Sequence, residues 1–180
     1  MKIFARTLIG MLCLFTNIAF AADTPPEAKP EETLAITSIA YLDKMQIPVL
    51  YTCDGKDTSP GLTWTTVPPK TASFAIIMKD EDAPFYHWVL YNIPKSQAEL
   101  ASGAALPAGA SAGKNSFGKN VYSGPCPPKG TAHTYVITLY ALDSTLKLPA
   151  DADAKRVLDA MKKHIVGQID LTGTYSRWIQ

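Results

Sequence analysis

Apolar and polar positions fall into short runs along most of this chain, and four of the runs read as β-strands. Leu34 to Ala40, Ser73 to Met78, His87 to Ile93 and His133 to Leu142 are rich in β-branched and aromatic residues, which fit a pleated, half-buried surface. Asp54-Gly55, Val67-Pro68-Pro69, Asn92-Ile93-Pro94 and the Pro/Gly cluster at 124–130 separate them as turn signals. One stretch, Asp151 to Val166, has a helical period. Val157, Leu158, Met161 and Ile165 make its apolar stripe, acidic residues crowd its start and Gly167 follows its end. Ala101 to Lys119, with many glycines and alanines, reads as a long surface loop. The pattern predicts a mostly β chain, a β-sandwich or related all-β core, with a helix near the C-terminus.

Ahead of these elements lies a segment of different character. Lys2 and Arg6 are its sole charges before Asp23, and an apolar run from Leu8 to Phe20 follows them. Ala19-Phe20-Ala21 supplies small residues where a signal peptidase reads, so residues 1–21 are expected to be a signal peptide cleaved after Ala21. The run is short for a bilayer span, which takes about 20 residues. Cys13 is no lipidation signal, because Leu12 precedes it where a small residue is needed. Residues 22–33, rich in proline and charge, read as a flexible lead, and 34–180 as a single domain. Export to the periplasm or beyond is the expectation.

Charge and cysteine count then take on meaning. With Lys2 and Arg6 gone, the 17 basic residues fall to one fewer than the 16 acidic ones. A near-neutral chain without a basic run gives no electrostatic reason to expect nucleic acid, and Lys162-Lys163 is too short for a membrane-binding patch. Any membrane contact would be peripheral. Cys53 and Cys126 remain as an even pair in an oxidising compartment. A disulfide between them would close about 73 residues and stabilise by roughly 3–4 kcal/mol. Two free buried thiols or a metal pair are the competing readings, and no Cys-x-x-Cys or Cys/His spacing supports metal.

The candidate chemistry gathers in Asp80 to Trp88 and Gly124 to Tyr135, each placing a histidine after a turn at the start of a strand. Alternation puts His133, Tyr135, Ile137 and Leu139 on one face of their strand, with Thr134, Val136 and Thr138 on the other. Along the other strand it groups His87 with Val89 and Tyr91, opposite Trp88 and Leu90. Asp80 and Asp82 share a side if extended. A carboxylate beside a histidine fixes its ring and favours the imidazolium, so the other ring nitrogen can donate to a ligand. His164, near the helix end, reads as structural or solvent-facing. Trp64 and Trp88 read as core aromatics, and Tyr175 and Trp178 as packing the C-terminal segment onto the sandwich.

These residues also resemble a known family. Tyr51-Thr52-Cys53-Asp54-Gly55…Ser59-Pro60-Gly61-Leu62-Thr63-Trp64, Asp80-Glu81-Asp82-Ala83-Pro84…His87-Trp88, Gly124-Pro125…Pro128-Lys129-Gly130-Thr131-Ala132-His133-Thr134-Tyr135 and the closing Leu171 to Arg177 follow one another in the expected order. They resemble the phosphatidylethanolamine-binding protein family, in its bacterial Raf-kinase-inhibitor-like branch, over roughly residues 34 to 178. The resemblance implies an antiparallel β-sandwich with short helices and a pocket for small anions such as phosphate and phosphorylated headgroups. Asp80, Asp82, His87, His133 and Tyr135 would line it, with Pro127 and Pro128 shaping its rim. Two residues depart from the pattern: Glu81 where proline is usual, with the prospect of a looser turn or added negative charge, and Thr134 where arginine is common. Two aspartates repel a phosphate, so Asp80 or Asp82 is expected to orient a histidine rather than touch the ligand.

Three functions are weighed. The first is a non-enzymatic exported binder of a small anionic or phosphorylated ligand, with no cofactor and no metal. The second, implied by the family, is an inhibitor or modulator of a protein partner such as a kinase or protease. The third is a metal-dependent or acid–base hydrolase, for which Asp, His and Tyr offer roles. It lacks a Gly-x-Ser-x-Gly elbow and a His-Glu-x-x-His motif.

Overall fold

A computed structural model describes residues 33–149 and 151–178. The expected signal peptide, Cys13 and all but the last residue of the 22–33 lead lie outside them. The elements run β1 (Ala35–Ser38), β2 (Met45–Gln46), a 3-10 turn (Val49–Tyr51), β3 (Leu62–Thr65), β4 (Ser73–Asp80), β5 (Phe85–Pro94), β6 (Glu99–Leu100), β7 (Ser111–Ala112), β8 (Ala132–Leu142), α1 (Ala154–Met161) and β9 (Ile165–Ser176). They form two open sheets, β1-β3-β6 and β2-β9-β8-β4-β5-β7. Every pairing between these strands is antiparallel except β2 with β9.

The predicted mostly β sandwich is therefore present. Its main core lies where Ile36, Leu62 and Trp64 of the small sheet meet Phe74, Ile76, Met78, Trp88, Leu90, Ile137 and Leu139 of the large one. The large sheet's other face carries a second core, where Ala75, Ile77, Val89 and Tyr91 meet Val157 and Met161 of α1. That double coverage explains why β4 reads as an unbroken apolar run instead of alternating. Burying one such aliphatic or aromatic side chain stabilises by about 1.5–3 kcal/mol.

Three expectations need correction. The helix ends at Met161, well short of Val166. Asp153 caps its start by accepting from Arg156 N at 2.8 Å, but Ile165 already pairs with Leu142 as the first residue of β9. Ile165 extends the apolar stripe because it packs on the same core from the sheet side. Asn92-Ile93-Pro94 is no turn, since β5 runs through it to Pro94. Asn92 is a bulge residue at φ +57°, pinned by bonds to the backbone of Leu146. Trp178 does not pack on the sandwich; it is 81 % exposed. Among the described residues, no helix is long and apolar enough to cross a membrane.

Candidate functional site

Register across the large sheet brings the two motif segments together. Asp80, the last residue of β4, lies opposite Tyr135 of β8 on one side and Phe85 of β5 on the other. Asp80 is buried, and both of its oxygens are engaged. Oδ2 accepts from His133 Nδ1 at 2.7 Å, and Oδ1 accepts from Asp82 N at 2.9 Å. The carboxylate of Asp82 then reaches back to Thr134 N at 2.6 Å. Asp80 thus orients His133, while Asp82 latches the turn to β8. Hydrogen bonds to a charged group of this kind contribute about 1.5–3 kcal/mol each.

The two departures from the family pattern have structural answers. Glu81 N donates to Thr134 O at 2.9 Å, a bond that a proline could not make. Its carboxylate turns outward to Lys79 Nζ at 3.0 Å. Glu81 therefore holds the turn more firmly instead of loosening it, and its charge is paired at the surface. Thr134 brings no cation.

His87 arrives by a different device. Met78 lies opposite Trp88 but Lys79 lies opposite Tyr86, so His87 is an extra residue in β5. Such a bulge re-aims a side chain. Trp88 and Leu90 keep to the sandwich core, and Val89 and Tyr91 to the helix side. The His87 ring nonetheless stands edge-on to Tyr135, a sandwich-side residue, at 5.2 Å. The alternation that grouped His87 with Val89 and Tyr91 is broken here. Nδ1 lies 2.7 Å from Ser123 O, and since a carbonyl only accepts, Nδ1 carries the proton. Burial pushes the His87 pKa below its ordinary 6.5, opposed by that carbonyl and by the charge of Asp80. The ring is neutral at pH 7.

The strand of chain that anchors His87 is itself pinned. Gly124 N donates to Asp57 Oδ1, and a Cβ on Gly124 would stand 2.2 Å from Tyr51 O. Only glycine lets the two segments approach this closely. Cys53 and Cys126 form the expected disulfide across a sequence separation of 73, with Cα atoms 5.4 Å apart. Pro127 follows it and is buried, whereas Pro128 is exposed and accepts from Thr131. Farther along, Asp54 accepts from Tyr175 Oη at 2.7 Å and pairs with Arg177. Arg177 and then Tyr175 hold the Asp54 carboxyl below its usual range.

Tyr135 stands between the imidazoles, stacked at 6.4 Å from His133 and edge-on to His87. Its hydroxyl is sealed from solvent and lies by the Cys126 backbone and Asp80, without a hydrogen bond of good geometry to either. Burial, then the charge of Asp80, pushes its pKa far up, so it stays a donor at any ordinary pH. The structure thus gathers Asp80, Asp82, His87, His133 and Tyr135. A cavity of about 300 Å³ lined by Trp88, Leu90, Leu106 and Tyr122 lies on an apolar stretch that includes none of them.

Atoms of Asp80, Asp82 and His133 lie within 4.8 Å of one another, a spacing that three ligands to a divalent cation could share. Both Asp80 oxygens and His133 Nδ1 are already committed inside the protein, as described above. The cluster is built as a self-satisfied polar scaffold. His164, by contrast, lies at the surface and pairs with Asp143 at 2.8 Å.

Sequence reasoning missed three residues beside the site. Asn115, buried within the supposed loop, donates to Val121 O at 2.9 Å and Ser123 Oγ at 3.1 Å, and accepts from Phe117 N and Lys119 N at 3.0 Å each. Phe85 and Phe117 meet edge-to-face at 4.7 Å, with ring centroids 5.2 Å and 6.0 Å from His87. Phe85 opens β5, two residues ahead of the predicted strand, and Asn115-Ser116-Phe117-Gly118 carries no periodic signal. Only contact reveals it.

The profile of the family described as phosphatidylethanolamine-binding protein matches residues 37–176. A UPF0098 protein of Methanothermobacter thermautotrophicus is 43% identical over 145 residues, covering 77% of this chain and 95% of the relative. A Mycobacterium tuberculosis protein named as the lipoprotein LppC is 36% identical over 161 residues, covering 87% and 79%. Among solved structures, a Chlamydia trachomatis protein described as a homologue of this family, CT736, superposes with a TM-score of 0.76 at 33% identity, covering 81% of this chain and 98% of that one. Escherichia coli YbcL, described as a new member of the mammalian family, gives 0.75 at 32% identity, covering 83% and 100%. Fold, motif order and these matches agree: the chain belongs to the phosphatidylethanolamine-binding protein family.

Proposed function

We propose that this chain is a non-enzymatic binding protein for a small oxyanion, phosphate or a phosphorylated headgroup, working in the periplasm or outside the cell. One observation carries the reading. Each imidazole commits Nδ1 to a fixed acceptor, Asp80 for His133 and Ser123 O for His87, leaving Nε2 to donate to an anion once the ring is protonated. Tyr135 packs between them with its hydroxyl sealed inside, so it sets the spacing of the rings and does not touch a ligand. The aspartates serve as positioning groups, so their charge is spent on His133 Nδ1 and on backbone N–H groups. By the family resemblance Pro127 and Pro128, just after the disulfide, would form its rim. Without arginine at 134, recognition rests on imidazolium and backbone donors, which suits a compact oxyanion. Export is supported by the disulfide, which persists in oxidising compartments, by a relative named as a lipoprotein and by the character of residues 1–21.

The test is calorimetric titration with phosphate and, separately, with sulfate, whose charge does not change near neutrality. At about pH 6 sulfate should bind more tightly than at about pH 8, because imidazole donors gain charge on the acid side, whereas phosphate itself loses charge over the same range and should respond less. His133→Ala should abolish binding. Affinity that is flat across this range for sulfate, or that survives His133→Ala, contradicts the reading. A protein partner is the second reading, favoured by Val49 and Trp178, both exposed, which line one surface groove with Lys129 and Arg177. Its mark would be a partner whose activity falls on binding and is restored by Trp178→Ala.

A further inference from the structure

Disulfides open to solvent are the ones that exchange readily with thiols. Cys53 and Cys126 are both exposed, although their neighbours Thr52, Pro125 and Pro127 are buried. The cross-link therefore stands on the surface of a packed base, and its two ends are held unequally. Cys53 belongs to a fixed post. Thr52 N and Oγ1 both donate to Val49 O, at 3.0 and 2.9 Å, and Asp54 accepts from Tyr175 Oη and pairs with Arg177. Cys126 belongs to a strap, Ser123 to Lys129, that lies in no strand or helix. Pro125, Pro127 and Pro128 have no N–H to donate, so the strap is poor in backbone bonds and depends on the cross-link. Proline also makes it stiff. Gly124, whose N–H donates to Asp57 Oδ1, is its pivot, so freeing Cys126 on one side displaces Ser123 on the other. There the strap meets His87: Ser123 N donates to His87 O at 3.1 Å, and Ser123 O accepts from His87 Nδ1 at 2.7 Å.

Resting on the anion-binding reading above, we infer that the Cys53–Cys126 disulfide is a redox-active site through which a dithiol reductant controls the anion site. Oxidised, the clasp holds Ser123 where it fixes the His87 ring. Reduced, the strap slackens, His87 loses its fixed acceptor and affinity falls. In the exchange, a thiolate of the dithiol attacks one sulfur, the S–S bond breaks and a mixed disulfide forms. The second thiol of the reductant displaces that bond. Cys53 and Cys126 end as thiols, having gained two electrons and two protons, and the reductant ends as its own disulfide. The sheets are untouched by this step, because neither cysteine lies in a strand.

The experiment treats the folded protein with dithiothreitol and follows free thiols without denaturant, the far-UV spectrum, sulfate affinity at about pH 6 and the ring-nitrogen NMR signals of His87. Both thiols should appear while the far-UV spectrum holds. Sulfate affinity should fall about tenfold, the worth of one well-placed charge-assisted bond, and return on reoxidation. The His87 signals should move on reduction and those of His164 should not. Cys53→Ser combined with Cys126→Ser should show the low affinity with or without dithiothreitol. A merely structural cross-link would leave the affinity and the His87 signals of the reduced, folded protein where they were. Thiols that appear only in denaturant overturn the inference, and so does a far-UV spectrum lost on reduction, since the cross-link would then hold the fold instead of the site. If the oxidised protein binds sulfate and reduction leaves its affinity unchanged, this inference alone fails. If the oxidised protein binds no sulfate, the underlying reading falls and takes the inference with it.

Discussion

Asn115→Ala tests how the site is held. The side chain joins two segments around His87: its amide donates to Val121 O at 2.9 Å and Ser123 Oγ at 3.1 Å, with His87 O at 3.4 Å, and its carbonyl accepts from Phe117 N and Lys119 N. Phe117 and Lys119 lie at an exposed turn, so water can replace the bonds to their N–H groups. His87 and Ser123 are buried; His87 O keeps its bond from Ser123 N at 3.1 Å, whereas Ser123 Oγ loses the Asn115 donor without replacement by water. A typical bond nets about 1 kcal/mol, and a buried group left unpaired costs about 1–3 kcal/mol. The sum is a loss of about 2–4 kcal/mol, read as a fall of about 1–2 M in the urea midpoint for a slope near 2 kcal/mol/M. Asn115→Asp keeps the acceptor but turns an anion toward carbonyl oxygens, so at neutral pH it should cost at least as much as alanine. A loss below about 0.5 kcal/mol for either variant would refute the view of Asn115 as the hub of this loop.

Replacing Cys53 and Cys126 together by serine should lower stability by about 2–4 kcal/mol in equilibrium unfolding, the range for a closed loop of this length, and a reducing agent should then leave the double variant unmoved. Gly124→Ala should cost more than about 2 kcal/mol and weaken anion binding, since its Cβ would strike the backbone at Tyr51; an unshifted melting temperature contradicts the close approach. Burial holds His87 below its ordinary pKa of 6.5, so the folded state takes up that proton less readily than the unfolded chain. Its contribution is fully present above pH 6.5 and is lost as pH falls from there toward the lower folded value. Stability measured from about pH 8 down to 5 should decline more steeply in wild type than in His87→Gln, and parallel profiles would contradict this.

The large sheet was legible where one physical demand dominated the sequence. β4 and β8 are long apolar or alternating runs, and the even cysteine pair pointed to its disulfide. β9 was not, because Gly167 and Gly173 interrupt its pattern. Gly167 passes for a helix stop, yet it packs tightly under Pro68, and Gly173 lies so close to Ile47 and Tyr41 that a Cβ would clash. The shared face of His133 and Tyr135 on β8 followed from alternation, but that Asp80 and not Asp82 holds His133 is decided by the register of β4 against β8. His87 did not, because a bulge inserts one residue and leaves no mark in composition. Asn115 and Phe117 sit in a glycine-rich stretch whose order comes from bonds to β5 and to residues 121–123, contacts distant in sequence from any repeating pattern.

The most direct measurement follows the imidazole nitrogens by NMR while sulfate is added to the protein. The chain has three histidines, and His164, paired with Asp143 at the surface, is an internal control. The account predicts that Nε2 of His133 and of His87 shift together along one saturating curve while His164 stays still. Signals of His133 and His87 that do not move, or that move only as much as His164, would contradict an anion site between them.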